Sequence, residues 1–238
     1  VCNQNKKQMN KAVFFWSTWA LLSVYLVILA GAVVRMTGSG MGCPDWPKCF
    51  GYLIPPTERS QLDWQPDKNY KKGNVIILDN TLQVATQTFE SGDTIDLKNW
   101  EVYTKHDYTT FNATHTWVEF INRLLGAISG LIVLGLFVGS LWWIRKQPLL
   151  PIFSFFAVVG MGVQAWLGKT VVDSNLLPSK ISLHMIMALL IVSVLLFVRA
   201  KSHGKQLKQP SKNLLMLIVG SFVLTLIQFG LGVDVRQF

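Results

Sequence analysis

Five long apolar stretches decide what this chain can fold into: Ala12–Val34, Trp117–Ile144, Leu149–Val172, Ile181–Val198 and Leu214–Val233. A helix crosses a bilayer with about 20 apolar residues, and each stretch reaches or approaches that length. Composition agrees. Of 238 residues 50% are hydrophobic and only 15% charged, with a mean hydropathy of +0.35, which is unlike a soluble domain of this size. The first stretch is too long for the core of a signal peptide, and no small-residue cleavage site follows it. The expected architecture is an all-α polytopic membrane protein.

The charges orient it. Lys6, Lys7 and Lys11 precede the first span, Arg145 and Lys146 join the second to the third, and Arg199, Lys201, Lys205, Lys208 and Lys212 join the fourth to the fifth. None of these segments holds an acidic residue. The long link from Met36 to Thr116 holds ten acidic and seven basic residues. Basic links mark the cytoplasmic side. The reading is therefore a multi-pass protein of the inner (cytoplasmic) membrane, with a cytoplasmic amino terminus and an extracytoplasmic loop over 36–116. The net charge of +9 and the pI near 9.6 then record topology, not nucleic-acid binding.

Cys43 and Cys49 fall in that loop, where an oxidising compartment favours a disulfide. Cys2 is read as a cytoplasmic thiol. The loop opens with a Gly- and Pro-rich run, TGSGMGCPDWPKCFGYLIPPTE, which predicts turns. Its second part, GNVIILDNTLQVATQTFESGDTIDLKNWEVYT, has β-branched runs that predict a small hairpin. Two short echoes point to a repeat: Gly31-x-x-Val34-Arg35 against Gly232-x-x-Val235-Arg236, and Gln164-x-x-Leu167-Gly168 against Gln228-x-x-Leu231-Gly232. On this reading the fifth span begins a second copy of the first four. The absence of an initial Met and the stop at Phe238 then suggest a piece of a longer protein. The expected organisation is a cytoplasmic tail (1–11), a four-helix unit (12–198), a basic cytoplasmic linker (199–213) and the first helix of a second half (214–238).

Polar residues gather at one depth. Arg35 ends the first span, His115, Glu119, Asn122 and Arg123 begin the second, Gln164 and Lys169 end the third, and His184 begins the fourth. Such groups are costly in lipid and usually face a cavity or a bundle interior. Positions 115, 119, 122 and 126 share a helix face, and Arg123 is four residues from Glu119, within reach of it. The plainest reading is an acid–base pair that neutralises itself, with histidines bonded locally. The sharper reading is a heme. Neutral imidazole binds iron, and Arg35, Arg123 and Lys169 suit propionates.

Span one and its exit, LAGAVVRMTGSGMGCPDWPKCFG, resemble the heme A synthase family. Arg35, Thr37, Ser39, Gly40, Cys43, Pro44, Asp45, Trp46, Pro47 and Cys49 fit its V-R-x-T-x-S-G and C-P-D-W-P-x-C runs. QAWLGKTVVDSNL and SLHMIMALL look like the ends of the family's third and fourth spans. The resemblance implies a four-helix transmembrane bundle plus the first helix of a second repeat. It implies oxidation of the methyl group of heme O to the formyl of heme A, with heme b in the second half. Glu119 matches the family's catalytic glutamate and His184 its second histidine. The family motif E-x-x-H-R has His where this chain has Asn122, and an amide is a poor iron ligand. His115 takes over, about 10 Å along the helix; or His184 alone binds iron; or heme binding is lost. Retention of Glu119, Arg123 and His184 favours the first two.

The implied metal ligands are thus His184 and His115, and the implied cofactor-binding residues Arg35, Arg123, Asn122 and Lys169. The Cys43–Cys49 pair staples the loop or exchanges electrons. Implied partners are the farnesyltransferase that supplies heme O, cytochrome oxidase assembly, the lipid bilayer and a second copy of the chain. Two other classes compete: a non-catalytic heme-binding cytochrome or heme-delivery protein, and half of a transporter.

Overall fold

A computed structural model describes residues 2–104, 110–203 and 211–234, the side chains of 2–10, 226, 229, 230, 233 and 234 excepted. Five α-helices carry the described chain: α1 (Cys2–Thr37), α2 (Ala113–Leu141), α3 (Leu149–Asp173), α4 (Pro178–Ser202) and α5 (Lys212–Asp234). Among the described residues, four segments are long and apolar enough to cross a membrane: Lys11–Thr37, Ala113–Trp143, Leu149–Asp173 and Pro178–Ser202. The protein is a mostly helical, multi-pass membrane protein. Cys2, Lys6 and Lys7, the linker lysines Lys205 and Lys208, and the Val235-Arg236 end of the echo lie outside the described side chains.

Helix ends differ from the expected spans for local reasons. α1 runs past Val34 to Thr37, whose hydroxyl bonds the Val33 carbonyl (2.8 Å) and the Ser39 hydroxyl (2.6 Å). Gly38 then takes φ 69°, a left-handed stop that costs glycine little. α2 begins at Ala113, ahead of Trp117, because Asn112 caps it: its side chain accepts the His115 N–H at 3.3 Å. α3 closes through Asn175 and Leu176, both at positive φ, and Pro178 opens α4 in the position where proline is preorganised.

The loop holds more than a hairpin. β1 (Asn69–Tyr70), β2 (Val75–Leu78), β3 (Thr81–Ala85), β4 (Phe89–Glu90) and β5 (Trp100–Val102) form two small antiparallel sheets, β1-β4 and β2-β3-β5. The expected hairpin is β2-β3, paired from Val75↔Val84 to Leu78↔Thr81. Its two-residue turn is Asp79-Asn80, both at positive φ, as such hairpins need. Alternate residues of β2 face different clusters. Val75 and Ile77 join Cys43, Cys49, Phe50, Leu62 and Leu82, while Ile76 joins Tyr70, Ala85 and Trp100.

The chain divides into two compact units. One comprises Ser23–Ser129 and Ala165–Leu176: the loop with the helix segments that adjoin it. Here Ser23 and Ser129 hydroxyls bond at 3.0 Å, joining α1 to α2. The other comprises Val1–Leu22, Gly130–Gln164 and Leu177–Phe238, and helices are its secondary structure among the described residues. In it Gly160 lets α3 approach α4; a β-carbon there would lie 3.0 Å from Ile191 and 3.2 Å from Met187. Phe153 and Phe197 pack at 4.3 Å. Every described side chain of α5 is exposed.

Candidate functional site

The first turns of α2 meet the disulfide-closed loop. Cys43 and Cys49 are bonded and fully buried. The approach is so close that residue 42 has to be glycine, since a β-carbon would sit 2.5 Å from the backbone of His115. Thr116, buried beneath it, donates its hydroxyl to the Gly42 carbonyl at 2.8 Å.

One turn further, Glu119 is only 4% exposed. One carboxylate oxygen accepts the Cys43 N–H at 2.9 Å, and the other pairs with Arg123. Arg123 also donates to three loop carbonyls, of Asp45 (2.7 Å), Lys48 (3.1 Å) and Cys43 (3.3 Å). The guanidinium thus spends four of its five N–H groups on protein acceptors. The buried Glu119 charge is tolerable on these terms, paired and hydrogen-bonded at both oxygens. The pair is more than mutual neutralisation, because it grips the stretch from Cys43 to Lys48, which belongs to no helix or strand.

Asp45 completes the loop. Its side chain accepts the Gly51 N–H at 2.9 Å, while the second oxygen, Oδ1, is buried without a partner. Burial pushes its carboxyl above the usual 3.8, against the opposing pull of the Gly51 and Phe50 N–H groups and of Arg123. Gly51, at φ 79°, cannot carry a side chain: a β-carbon would lie 2.2 Å from the Gly73 carbonyl oxygen. Tyr103 donates its hydroxyl to the Pro44 carbonyl at 2.9 Å, and burial with the neighbouring carboxylates of Asp45 and Asp173 raises its pKa to about 12.

Four other candidate residues belong to this unit. Asn122 is half-buried beside Gly31 of α1, and its Oδ1 has no partner. His115 is half-buried in the first turn of α2. Lys169 pairs with Asp173, both partly exposed. Arg35 is half-buried in the last turn of α1, where its carbonyl accepts the Gly38 N–H.

In the helical unit, His184 of α4 meets Gln164 of α3, with its Nε2 3.3 Å from the amide nitrogen. The pairing is half satisfied: His184 Nδ1 and Gln164 Oε1 are both buried without partners. Among the described residues, no three His, Cys, Asp or Glu side chains gather into a metal site.

Sequence reasoning placed Glu119 beside Arg123 and missed what the pair holds. Gly42, Thr116 and the Asp45 carbonyl carry no charge pattern, so periodicity could not reveal them. The spacing Gly42-Cys43 against His115-Thr116 becomes meaningful only once the loop is folded onto α2.

The fold and this network define a class: a multi-pass membrane protein in which a buried acid–base pair on one helix anchors a disulfide-closed loop. The chain belongs to the cytochrome oxidase assembly protein family, whose model matches residues 14–91 and 93–237. It is similar to the heme A synthase of Shewanella oneidensis, 26% identical over 222 residues, or 90% of this chain and 55% of the relative. The heme A synthase of an Exiguobacterium species is 25% identical over 96% of this chain and 59% of its own length. That of Bartonella bacilliformis is 27% identical over 84% and 50%. The chain therefore spans between half and three fifths of these relatives. No solved structure matches it.

Proposed function

We propose that this chain supplies the substrate-binding half of a heme A synthase, an inner-membrane oxidoreductase that converts the ring methyl of heme O to a formyl group for cytochrome oxidase assembly. Family membership and the relatives' names support this reading. The observation that carries it is the state of Glu119, a carboxylate buried at a membrane helix end and fixed by Cys43 N–H and Arg123.

A heme ligand suits the helical unit: His184 is a half-buried imidazole whose Nδ1 is buried without a partner and whose Nε2 is held only by a side-chain amide, Gln164. Native structures rarely leave such groups half satisfied without a functional reason. His184 is the proposed iron ligand of the helical unit, with Gln164 orienting its ring, and His115 is the candidate ligand of the loop-bearing unit. Lys169 and Arg35 are the proposed partners of the propionates, and Asn122 offers an unpartnered amide oxygen. Arg123 serves this role mainly by holding the loop.

Conversion of a methyl to a formyl group passes four electrons to an external oxidant, releases four protons and adds one oxygen atom from water. Positive charge develops at the methyl carbon as electrons leave. A fixed carboxylate in a low-dielectric site stabilises such charge more than mobile water does, and it can take up a proton. A carboxylate has about four lone-pair positions; Glu119 uses one on each oxygen, so acceptor capacity remains. The orientation proposed from the basic links puts this loop outside the cytoplasm.

The test is Glu119→Gln in the full-length gene, with heme extracted from membranes and separated by chromatography. We expect heme O to stay bound and heme A to fall at least 100-fold, on the scale of losing one charge-stabilising group (~2.7–4 kcal/mol). Unchanged heme A would remove the catalytic role. The same outcome would favour the second reading, a non-catalytic heme-binding protein, for which Glu119 only clamps the loop.

A further inference from the structure

Two of the loop's exposed apolar side chains are consecutive in the chain. The Cys49–Tyr52 bridge turns the chain back on itself, and the next two residues, Leu53 and Ile54, are 77% and 71% exposed. They are followed by buried Pro55 and Pro56, which stiffen the segment and hold it out. Beside it lies a cavity of about 400 Å³ whose walls include Tyr52, Ile54, Pro56, Gln61, Lys68 and Trp117.

Trp117 relates this cavity to the membrane span. It belongs to the first turns of α2, four residues after Ala113, where the membrane-crossing segment starts. A tryptophan at that position marks the headgroup level. A cavity walled by that residue belongs at the same level, and its apolar walls are Ile54, Pro56 and Trp117. Its polar end is Lys68, which has no carboxylate partner among the described residues. Its ammonium lies 5.3 Å from the Tyr70 ring centre and is partly desolvated. An apolar cleft at headgroup depth closed by an unpaired cation has the charge and polarity pattern of an amphiphilic anion.

We infer that this cavity seats an anionic phospholipid of the loop-side leaflet, its phosphate on Lys68 and Gln61 and the start of its acyl chain along Ile54, Pro56 and Trp117, with Leu53 and Ile54 dipping into the leaflet. This docks the loop on the membrane independently of the disulfide and of any heme chemistry. The occupant is a bilayer lipid because the cavity wall includes a membrane helix, so the leaflet is already in contact with it.

Two measurements on the full chain in nanodiscs test the inference. First, Cys2 is changed to Ser, Cys43 and Cys49 stay disulfide-bonded, and Ile54→Cys carries a spin label whose accessibility to oxygen and to a water-soluble nickel chelate is compared. We expect oxygen to dominate, as below the phosphates; a label more accessible to nickel overturns the proposal. Second, native mass spectrometry counts the lipids retained from mixed phosphatidylglycerol and phosphatidylcholine. We expect phosphatidylglycerol to be retained about fivefold over phosphatidylcholine, the worth of one lysine at an anionic surface, and Lys68→Gln to abolish the preference while Lys98→Gln, an exposed loop lysine, keeps it. Equal retention of the two lipids overturns the assignment, and so does a Lys98→Gln effect as large as that of Lys68→Gln.

Discussion

Charged groups sit on apolar helices in both units of this protein and are handled in different ways. In the loop-bearing unit, Glu119 and Arg123 are satisfied mostly by backbone: the Cys43 N–H and the carbonyls of Cys43, Asp45 and Lys48. In the helical unit, Arg199 leans on side chains, donating to the Thr18 hydroxyl at 3.1 Å and lying 4.7 Å from the Phe14 ring centre. His184 and Gln164 in that unit leave two buried atoms unpartnered. The difference has a physical origin. Helical backbone consumes its own N–H and C=O groups, so a helix-only unit offers charges little but side chains and rings. An irregular loop has spare backbone groups to offer, and a buried ion pair can organise them.

That contrast can be broken by substitution. Arg123→Ala would leave Glu119 buried alone and free three carbonyls, so a loss of about 3–5 kcal/mol is expected, as for breaking other buried pairs. Thermal unfolding in detergent measures it, and a loss no larger than at an exposed site would show that the grip on the loop is weak. Gly42→Ala forces a β-carbon against helix backbone that cannot yield, costing about 1–3 kcal/mol. Its signature should be faster proteolysis within the loop, and wild-type cleavage kinetics would refute the close contact. Arg199→Ala, which loses one hydrogen bond and one ring contact, should cost about 1–2 kcal/mol. A value equal to that of Arg123→Ala would erase the distinction between the units.

The smallest effect concerns Asp45. Its carboxyl is held above 3.8 by burial, so the folded state holds the proton more tightly than the unfolded chain does. The stability it contributes is complete below 3.8 and is lost as pH rises through its raised value. Asp45→Asn should remove that slope, flattening melting temperature against pH by less than about 4 °C. A variant with the parent's slope would place the titration elsewhere.

Particular residues show how far the sequence could be read. The spans were legible because apolar length is a local property, and Leu149–Val172 came within a residue of α3. Span ends were less so: Thr37, Gly38 and Asn112 shift the boundaries through caps that hydropathy does not sense. The β2-β3 hairpin was visible in its β-branched runs, but β5 was not, because it pairs with β3 only at three residues, Trp100 to Val102. At the candidate site, i,i+4 spacing was enough to join Glu119 to Arg123. It gave no sign that Gln164 meets His184, which are on different helices twenty residues apart.

By itself, then, the sequence determined that this chain lives in a membrane, which residues bear charge at its helix ends and which cysteines can close the loop, since each follows from composition, periodicity or short spacing. Only the tertiary structure decided that Glu119 is anchored to Cys43, that Arg123 is spent on carbonyls, and that Leu53 and Ile54 remain exposed beside Trp117. Those outcomes depend on which distant segments come into contact, and backbone hydrogen bonding in the loop, not side-chain pattern, selects them.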